Sequence, residues 1–383
     1  MFGAPEERVD LALTVADGAV VSARLTSQRA LAITGALAGR PVEDVLKRVP
    51  LLFPLCAQAQ QAAALAAVEA GAGLSIAPDH HRARVALALA EALEGHARAL
   101  WVEGAALWGG APDVAAWAQL RRALASLTPA LYPDGDAGRV GGGRLAPDEA
   151  RIQLVLEEVR AALALEALPE QVVELAALTR WSEQRASAGA KMVATVLERG
   201  WADLAPSPRL CPELSAQDIL RGLSSAQHYS DRPTLPEGPA EAGPLARASA
   251  HPLVADVIVH HGPGFLARLV ARLVELTRWP DALAEALRAV APAPAHTAPL
   301  PGEGEGVGLA DTGRGRLAHR VAWADGKVTR WDRVAPTEWT HHPDGVATRA
   351  PVGWPAAEAE ARARWHMALL DPCVPFGVTV EGA

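Results

Sequence analysis

Leu370-Asp371-Pro372-Cys373-Val374-Pro375-Phe376-Gly377-Val378, near the C-terminus, holds one of only three cysteines in 383 residues. The others, Cys56 and Cys211, stand more than 150 residues from it and from each other. A set so sparse and odd argues against a disulfide framework and for a reducing compartment. No Cys-x-x-Cys is present, so a local zinc or iron–sulfur signature is absent.

Around these cysteines, the length suggests about two domains or one large one with insertions. Half of the residues are hydrophobic, enough for a sizeable core. The net charge of −8 and the lack of a basic run give no footprint for a nucleic-acid partner. Arg outnumbers Lys 33 to 3, which reads as base composition rather than adaptation. MFGAPEERVD is not a signal peptide, having no basic region followed by an apolar one. The longest apolar stretches, Gln61–Val68 and Val85–Ala90, fall short of the ~20 residues of a bilayer span. A cytoplasmic protein without membrane contact is expected.

Both ends of the chain read as β structure. Val9–Val15 and Ala19–Leu25 flank Asp17-Gly18, and Leu317–Trp323 and Lys327–Val334 flank Asp325-Gly326. Each is a hairpin with a turn that favours φ > 0. Isolated hairpins are marginal, so the two are expected to pair with each other or to pack on the helices between them. Those helices are read from Pro54 to about Ala72, then over Arg82–Val102, Pro112–Leu127, Pro147–Leu165 and Glu170–Arg199. Phe265, Leu266, Leu269, Val270, Leu273 and Val274 recur at the helical period within Gly264–Thr277. Pro133–Arg144 and Ala291–Gly308 read as loops or linkers. The fold class is therefore α+β, mostly α: a single unit over 1–383 with an N-terminal β-hairpin region (1–40), a helical core (41–290), a linker (291–308) and a C-terminal hairpin with the Asp-Pro-Cys segment (309–383).

Most chemistry-bearing patterns are weak. His80-His81, His260-His261 and His341-His342 are adjacent pairs, and neighbours on a helix point about 100° apart, so none has ligand spacing. Glu157-Glu158 reads as solvated charge. Gly141-Gly142-Gly143 is followed by no Gly-Lys-Ser/Thr, and no Gly-x-Ser-x-Gly occurs.

Four segments in order carry a resemblance. Lys47–Gln60 includes Phe53-Pro54-Leu55-Cys56-Ala57-Gln58-Ala59-Gln60. Gly306–His319 includes Asp311-Thr312-Gly313-Arg314-Gly315-Arg316-Leu317-Ala318-His319. Pro336-Thr337-Glu338-Trp339-Thr340 follows, and then Asp371-Pro372-Cys373. Together they resemble the large subunit of nickel–iron hydrogenases, whose pattern is Arg-Ile-Cys-Gly-x-Cys-x-x-x-His, Glu-x-Pro-Arg-Gly-x-Leu-x-His, Pro-Thr-x-Trp-Asn and Asp-Pro-Cys-x-x-Cys. The likeness spans nearly the whole chain and is weakest over 100–240.

The departures decide what it implies. Phe53 and Phe376 stand where that family has one cysteine of each pair, and Gln60 replaces the motif histidine. Thiolates are what such a nickel site needs, and phenylalanine coordinates nothing. Seven residues follow Phe376, with Thr379 where precursors carry the histidine before their cleavage point. The chain is thus similar to hydrogenase expression/formation proteins of the HupK/HoxV type, as are Gly243–Arg247 and His251–Asp256. That resemblance implies no enzyme but an accessory scaffold that relays an Fe(CN)2CO unit, with no nickel site. The implied partners are a HypC/HypD-type carrier complex and the immature large subunit.

By the same resemblance Cys56 and Cys373 are the metal-ligand candidates. Arg314 would reach over the metal as a donor to cyanide and would lower nearby thiol pKa values. Asp371 would orient Arg314, and Glu6 lies near the family's relay glutamate. One iron uses both sulfurs only if they lie within about 7 Å of each other, given metal–sulfur bonds of ~2.3 Å. Plainer readings stand beside these: Cys56 as a small buried hydrophobe, Arg314 tied to a carboxylate, Cys211 structural, the tryptophans as packing. Two other functions remain open: a metal-free mimic that binds or chaperones a maturation partner, and, last, a residual redox enzyme.

Overall fold

The computed structural model describes residues 8–27 and 35–382. Glu6 lies outside them. β1 (Val9–Ala16) and β2 (Ala19–Ser27) form the first hairpin, with Asp17 at φ 51° and Gly18 at φ 80° in the turn. α1 (Val42–Leu52), α2 (Ala57–Gly71), α3 (Pro78–Arg98), α4 (Val114–Ala125), α5 (Leu127–Leu131), α6 (Glu149–Leu163), α7 (Leu175–Glu183) and α8 (Ala188–Glu198) follow. Next come α9 (Ala216–Ser225), α10 (Pro244–Ala248), α11 (Pro252–His261) and α12 (Phe265–Arg288). A meander of β3 (Gly304–Thr312), β4 (Gly315–Ala324) and β5 (Lys327–Val334) leads through α13 (Pro336–Thr340), α14 (Val346–Arg349) and α15 (Ala359–Leu370) to β6 (Phe376–Gly382). Among the described residues no helix is long and apolar enough to cross a membrane.

The two hairpins do not pair with each other. β1 instead pairs in parallel with β6, Val9 opposite Phe376 and Leu13 opposite Val380, giving a sheet of order β2-β1-β6. The second sheet, β3-β4-β5, lies on α2.

Part of the segment read as a linker is strand β3, and its glycines explain why. A Cβ at Gly308 would stand 2.1 Å from the Ala63 carbonyl oxygen, and one at Gly306 2.3 Å from that of Ala67. Gly-x-Gly-x-Gly over 304–308 lets the strand lie directly on the backbone of an alanine-rich helix, a use of glycine that composition alone reads as flexibility.

Other boundaries move for local reasons. Phe53 precedes a proline and takes φ −131°, ψ 66°, ending α1, so α2 begins only at Ala57 with Cys56 at its N-cap. The span Glu170–Arg199 is two helices, broken where Arg185 takes φ 49° and Ser187 caps the Ala190 N–H at 3.1 Å. α12 runs eleven residues past Thr277 and through Pro280, because Leu283, Ala284 and Leu287 continue its buried stripe.

α12 is the central helix, buried on all sides from Phe265 to Leu276. Three charged side chains inside that stretch need partners. Arg268 forks onto Glu241 at 2.8 and 2.7 Å, Glu275 meets His96 and Arg247, and Arg272 reaches Asp371.

Candidate functional site: two thiols under an arginine

The fold brings together the four side chains that the sequence singled out. Cys56 caps α2, while Cys373 lies in the link between α15 and β6. In that link Asp371 and Cys373 take φ 54° and 66°, left-handed conformations that cost a non-glycine residue about 1–3 kcal/mol. β6, held against β1 from Phe376 onward, and α15 fix the two ends of the link. The strained backbone delivers the Cys373 sulfur to Cys56, and the two thiols are hydrogen-bonded. Both residues are half-buried. Sulfurs in contact meet the condition that one metal with two metal–sulfur bonds of ~2.3 Å sets.

Arg314 sits in the Thr312–Gly315 turn between β3 and β4. Its Nε donates to Asp371 Oδ1 at 2.8 Å, and Arg272 Nη2 lies 3.5 Å from Asp371 Oδ2. Burial opposes the charge on Asp371, but the two guanidiniums overcome it and hold the carboxyl below its usual range. Burial also opposes the charge on Arg314; Asp371 and the two sulfurs outweigh it and raise the guanidinium further. Arg314 is thus a permanent cation beside both thiols.

The turn is itself clamped. Arg247 donates to Glu275 through Nε at 2.7 Å and Nη2 at 2.9 Å, and to the Thr312 and Gly313 carbonyls at 3.0 and 2.8 Å. His96 Nε2 joins the same carboxylate at 2.7 Å and stacks on Trp279 at 4.8 Å. Arg247 comes from the Gly243–Arg247 segment noted in the sequence; its part in holding the Arg314 turn was not readable there.

A hydrogen-bond chain reaches Cys56 from the other side. Trp331 Nε1 donates to His319 Nδ1 at 2.7 Å, which leaves His319 Nε2–H to donate to Gln60 Oε1 at 2.7 Å. Gln60 Nε2 then donates to the Cys56 sulfur at 3.4 Å. Burial, with Arg333 nearby, pushes His319 down to about 3, so it stays neutral. Donation to Cys373, burial, and negative charge at Cys373 and Glu91 push the Cys56 thiol well above its ordinary range, while Gln60 works the other way.

Glu91 is the residue that the sequence reading missed. It accepts the Gln58 and Ala59 N–H groups at 2.8 and 3.2 Å, so it caps α2 from α3. Burial raises its carboxyl to about 7. The available signal was its place seven residues after the buried Arg84, on the inward side of α3.

Cys56, Glu91, His96, Arg314 and Asp371 line a cavity of about 10 Å³, the size of one water molecule. Two clefts flank it: one of about 180 Å³ sharing Leu55 and Glu91, the other of about 890 Å³ sharing Ala92 and Thr312. Among the described residues no cluster of three or more His, Cys, Asp or Glu is placed to hold a metal ion.

The remaining candidates lie elsewhere. Phe53 is buried under the Arg333 guanidinium, 4.5 Å from its ring centroid, and Phe376 opens β6. Cys211 packs near Tyr229 and Trp339, and burial pushes its thiol up to about 12. His80 is buried against Tyr132, and Glu157-Glu158 are exposed.

The architecture around this site is that of a nickel–iron-type hydrogenase large subunit. A chain of the Ni-Fe-Se hydrogenase from D. vulgaris Hildenborough superposes with a TM-score of 0.72 at 15% identity, over 94% of this chain and 95% of that one. The enzyme from Desulfomicrobium baculatum gives 0.69 at 16%, with 94% and 95% covered. No protein-family model matches. Sequence comparison narrows the class. "Hydrogenase expression/formation protein HupK" of Azotobacter vinelandii is 32% identical over 98% of this chain and 99% of its own length. HupV of Azotobacter chroococcum mcd 1 is 31% identical, with 97% and 98% covered, and HupK of Bradyrhizobium diazoefficiens 27%, with 98% and 97%. The chain belongs to the hydrogenase expression/formation proteins of the HupK type.

Proposed function

We propose that this protein is a non-catalytic accessory factor in nickel–iron hydrogenase maturation that receives an Fe(CN)2CO unit on Cys56 and Cys373 and passes it towards the large subunit. The observation that carries the reading is the pairing of two thiols beneath a largely buried arginine inside a large-subunit fold. An iron that arrives with three diatomic ligands needs few protein donors, and two soft thiolates suit it. Four thiolates, the set for nickel in the enzymes, are not assembled here, since Phe53 and Phe376 take the other positions. Arg314 supplies a fixed donor for a cyanide nitrogen, and Asp371 holds it in place.

The unit is far larger than 10 Å³, so loading requires the walls of the site to separate. The partners that fit are a HypC/HypD-type carrier and the immature large subunit, whose architecture this chain shares. A cytoplasmic location follows from those partners. The test is genetic: in cells lacking this chain, the hydrogenase large subunit is expected to accumulate without iron. The wild-type chain restores metallation, and Cys56→Ala and Cys373→Ala chains do not. Full restoration by both variants would leave the second reading, a metal-free mimic that chaperones a partner.

A further inference from the structure

We propose that Cys56 and Cys373 also form a reversible intramolecular disulfide that locks the site against metal. Four observations meet here. The two sulfurs are in hydrogen-bond contact, so only a further approach separates them from the ~2.05 Å of a disulfide. Cys373 sits in the five-residue link 371–375 between α15 and β6, and turns in that link can supply the movement without disturbing a helix or strand. Both cysteines are only partly buried as residues, and Cys211 lies apart from them in a separate cluster. Finally, the Arg314 guanidinium stands in electrostatic contact with both sulfurs, so the pair shares one cationic wall.

With a small disulfide such as glutathione disulfide as oxidant, the Cys373 thiolate attacks one sulfur and releases one glutathione thiolate. The Cys56 sulfur then attacks Cys373 in the mixed disulfide and releases the second glutathione. Two electrons pass from the cysteine pair to glutathione, and the two thiol protons go to the leaving thiolates. The product has no thiolate donors, so the lock, as regulation of metal loading, rests on the function proposed above; the disulfide itself does not.

The experiment equilibrates the full-length Cys211→Ser protein in glutathione buffers of graded ratio and reads intact mass and non-reducing peptide maps. The expected result is a loss of two hydrogens and a single peptide joining the segments around Cys56 and Cys373, reversed by dithiothreitol. In Cys56→Ser protein, Cys373 then stops at the glutathione adduct. Glutathione adducts or free thiols at every ratio, with no internal bond, would overturn the proposal; peptide maps of wild-type protein give the same reading if the Cys211 variant fails to fold. Absence of the disulfide in a protein that carries cyanide and carbonyl infrared bands removes the lock alone. A disulfide in a protein that never carries those bands removes the metal reading alone.

Discussion

Arg314 donates from Nε to Oδ1 of Asp371 at 2.8 Å, two residues before Cys373, so one ion pair sets the cation and the thiol in a common frame. Asp371 also faces the buried Arg272. Asp371→Asn leaves both guanidiniums without their counter-charge, and breaking a buried pair from one side costs about 3–5 kcal/mol. Urea denaturation is expected to show that loss. A cost below about 1 kcal/mol would mean that the pair does not organise the site.

Gln60→Leu removes an acceptor and a donor together. The His319 Nε2–H is left buried without a partner, which costs about 1–3 kcal/mol. Cys56 loses the donor that opposes its raised pKa, so its alkylation by iodoacetamide at fixed pH should slow. Unchanged or faster alkylation contradicts the donor role of Gln60.

The packing of β3 on α2 is tested by a pair of glycines. Gly308→Val drives a side chain into the backbone of α2 and should cost about 3 kcal/mol or prevent folding. Gly302→Ala meets nothing within 4 Å and should stay within about 0.5 kcal/mol of wild type. Equal effects at the two positions would exclude close approach as the reason for the glycines.

Acid should destabilise the protein below about pH 6.5. Burial pushes His319 and His366 down to about 3, so both are neutral when folded and take up protons only on unfolding. Each removes about 1.4 kcal/mol per pH unit as the pH falls from 6.5 towards 3. Glu91 acts in the opposite sense. Its folded value of about 7 means that between pH 7 and about 4.5 the folded protein holds a proton the unfolded chain has lost, which offsets one histidine. His80, His96, His251 and His342, also lowered by burial, add to the loss. Urea midpoints should therefore fall from pH 6.5 to 4.5 and more steeply below; midpoints that hold or rise would contradict the burial of the two imidazoles as neutral groups.

What the sequence showed was what local chemistry encodes. Asp17-Gly18 and Asp325-Gly326 placed both hairpins, and the apolar period placed the start of α12. The Asp-Pro-Cys, Phe-Pro-x-Cys and Thr-Gly-Arg-Gly segments identified the four side chains that meet in the site. What stayed hidden depends on tertiary contact. The partner of β1 is a strand more than 360 residues away, and the glycines of β3 mark a helix beneath them rather than a flexible link. Glu91 looked like one more helix glutamate because its ligands are backbone N–H groups of a different helix.

The most direct test of metal carriage is infrared spectroscopy of the full-length protein purified after co-expression with the machinery that makes the iron–cyanide–carbonyl unit. The expected spectrum has cyanide and carbon monoxide stretches that disappear in Cys56→Ala and Cys373→Ala proteins and shift in frequency in Arg314→Lys protein. Wild-type protein from an intact pathway with no such bands, or bands that persist when both cysteines are replaced, would contradict the account.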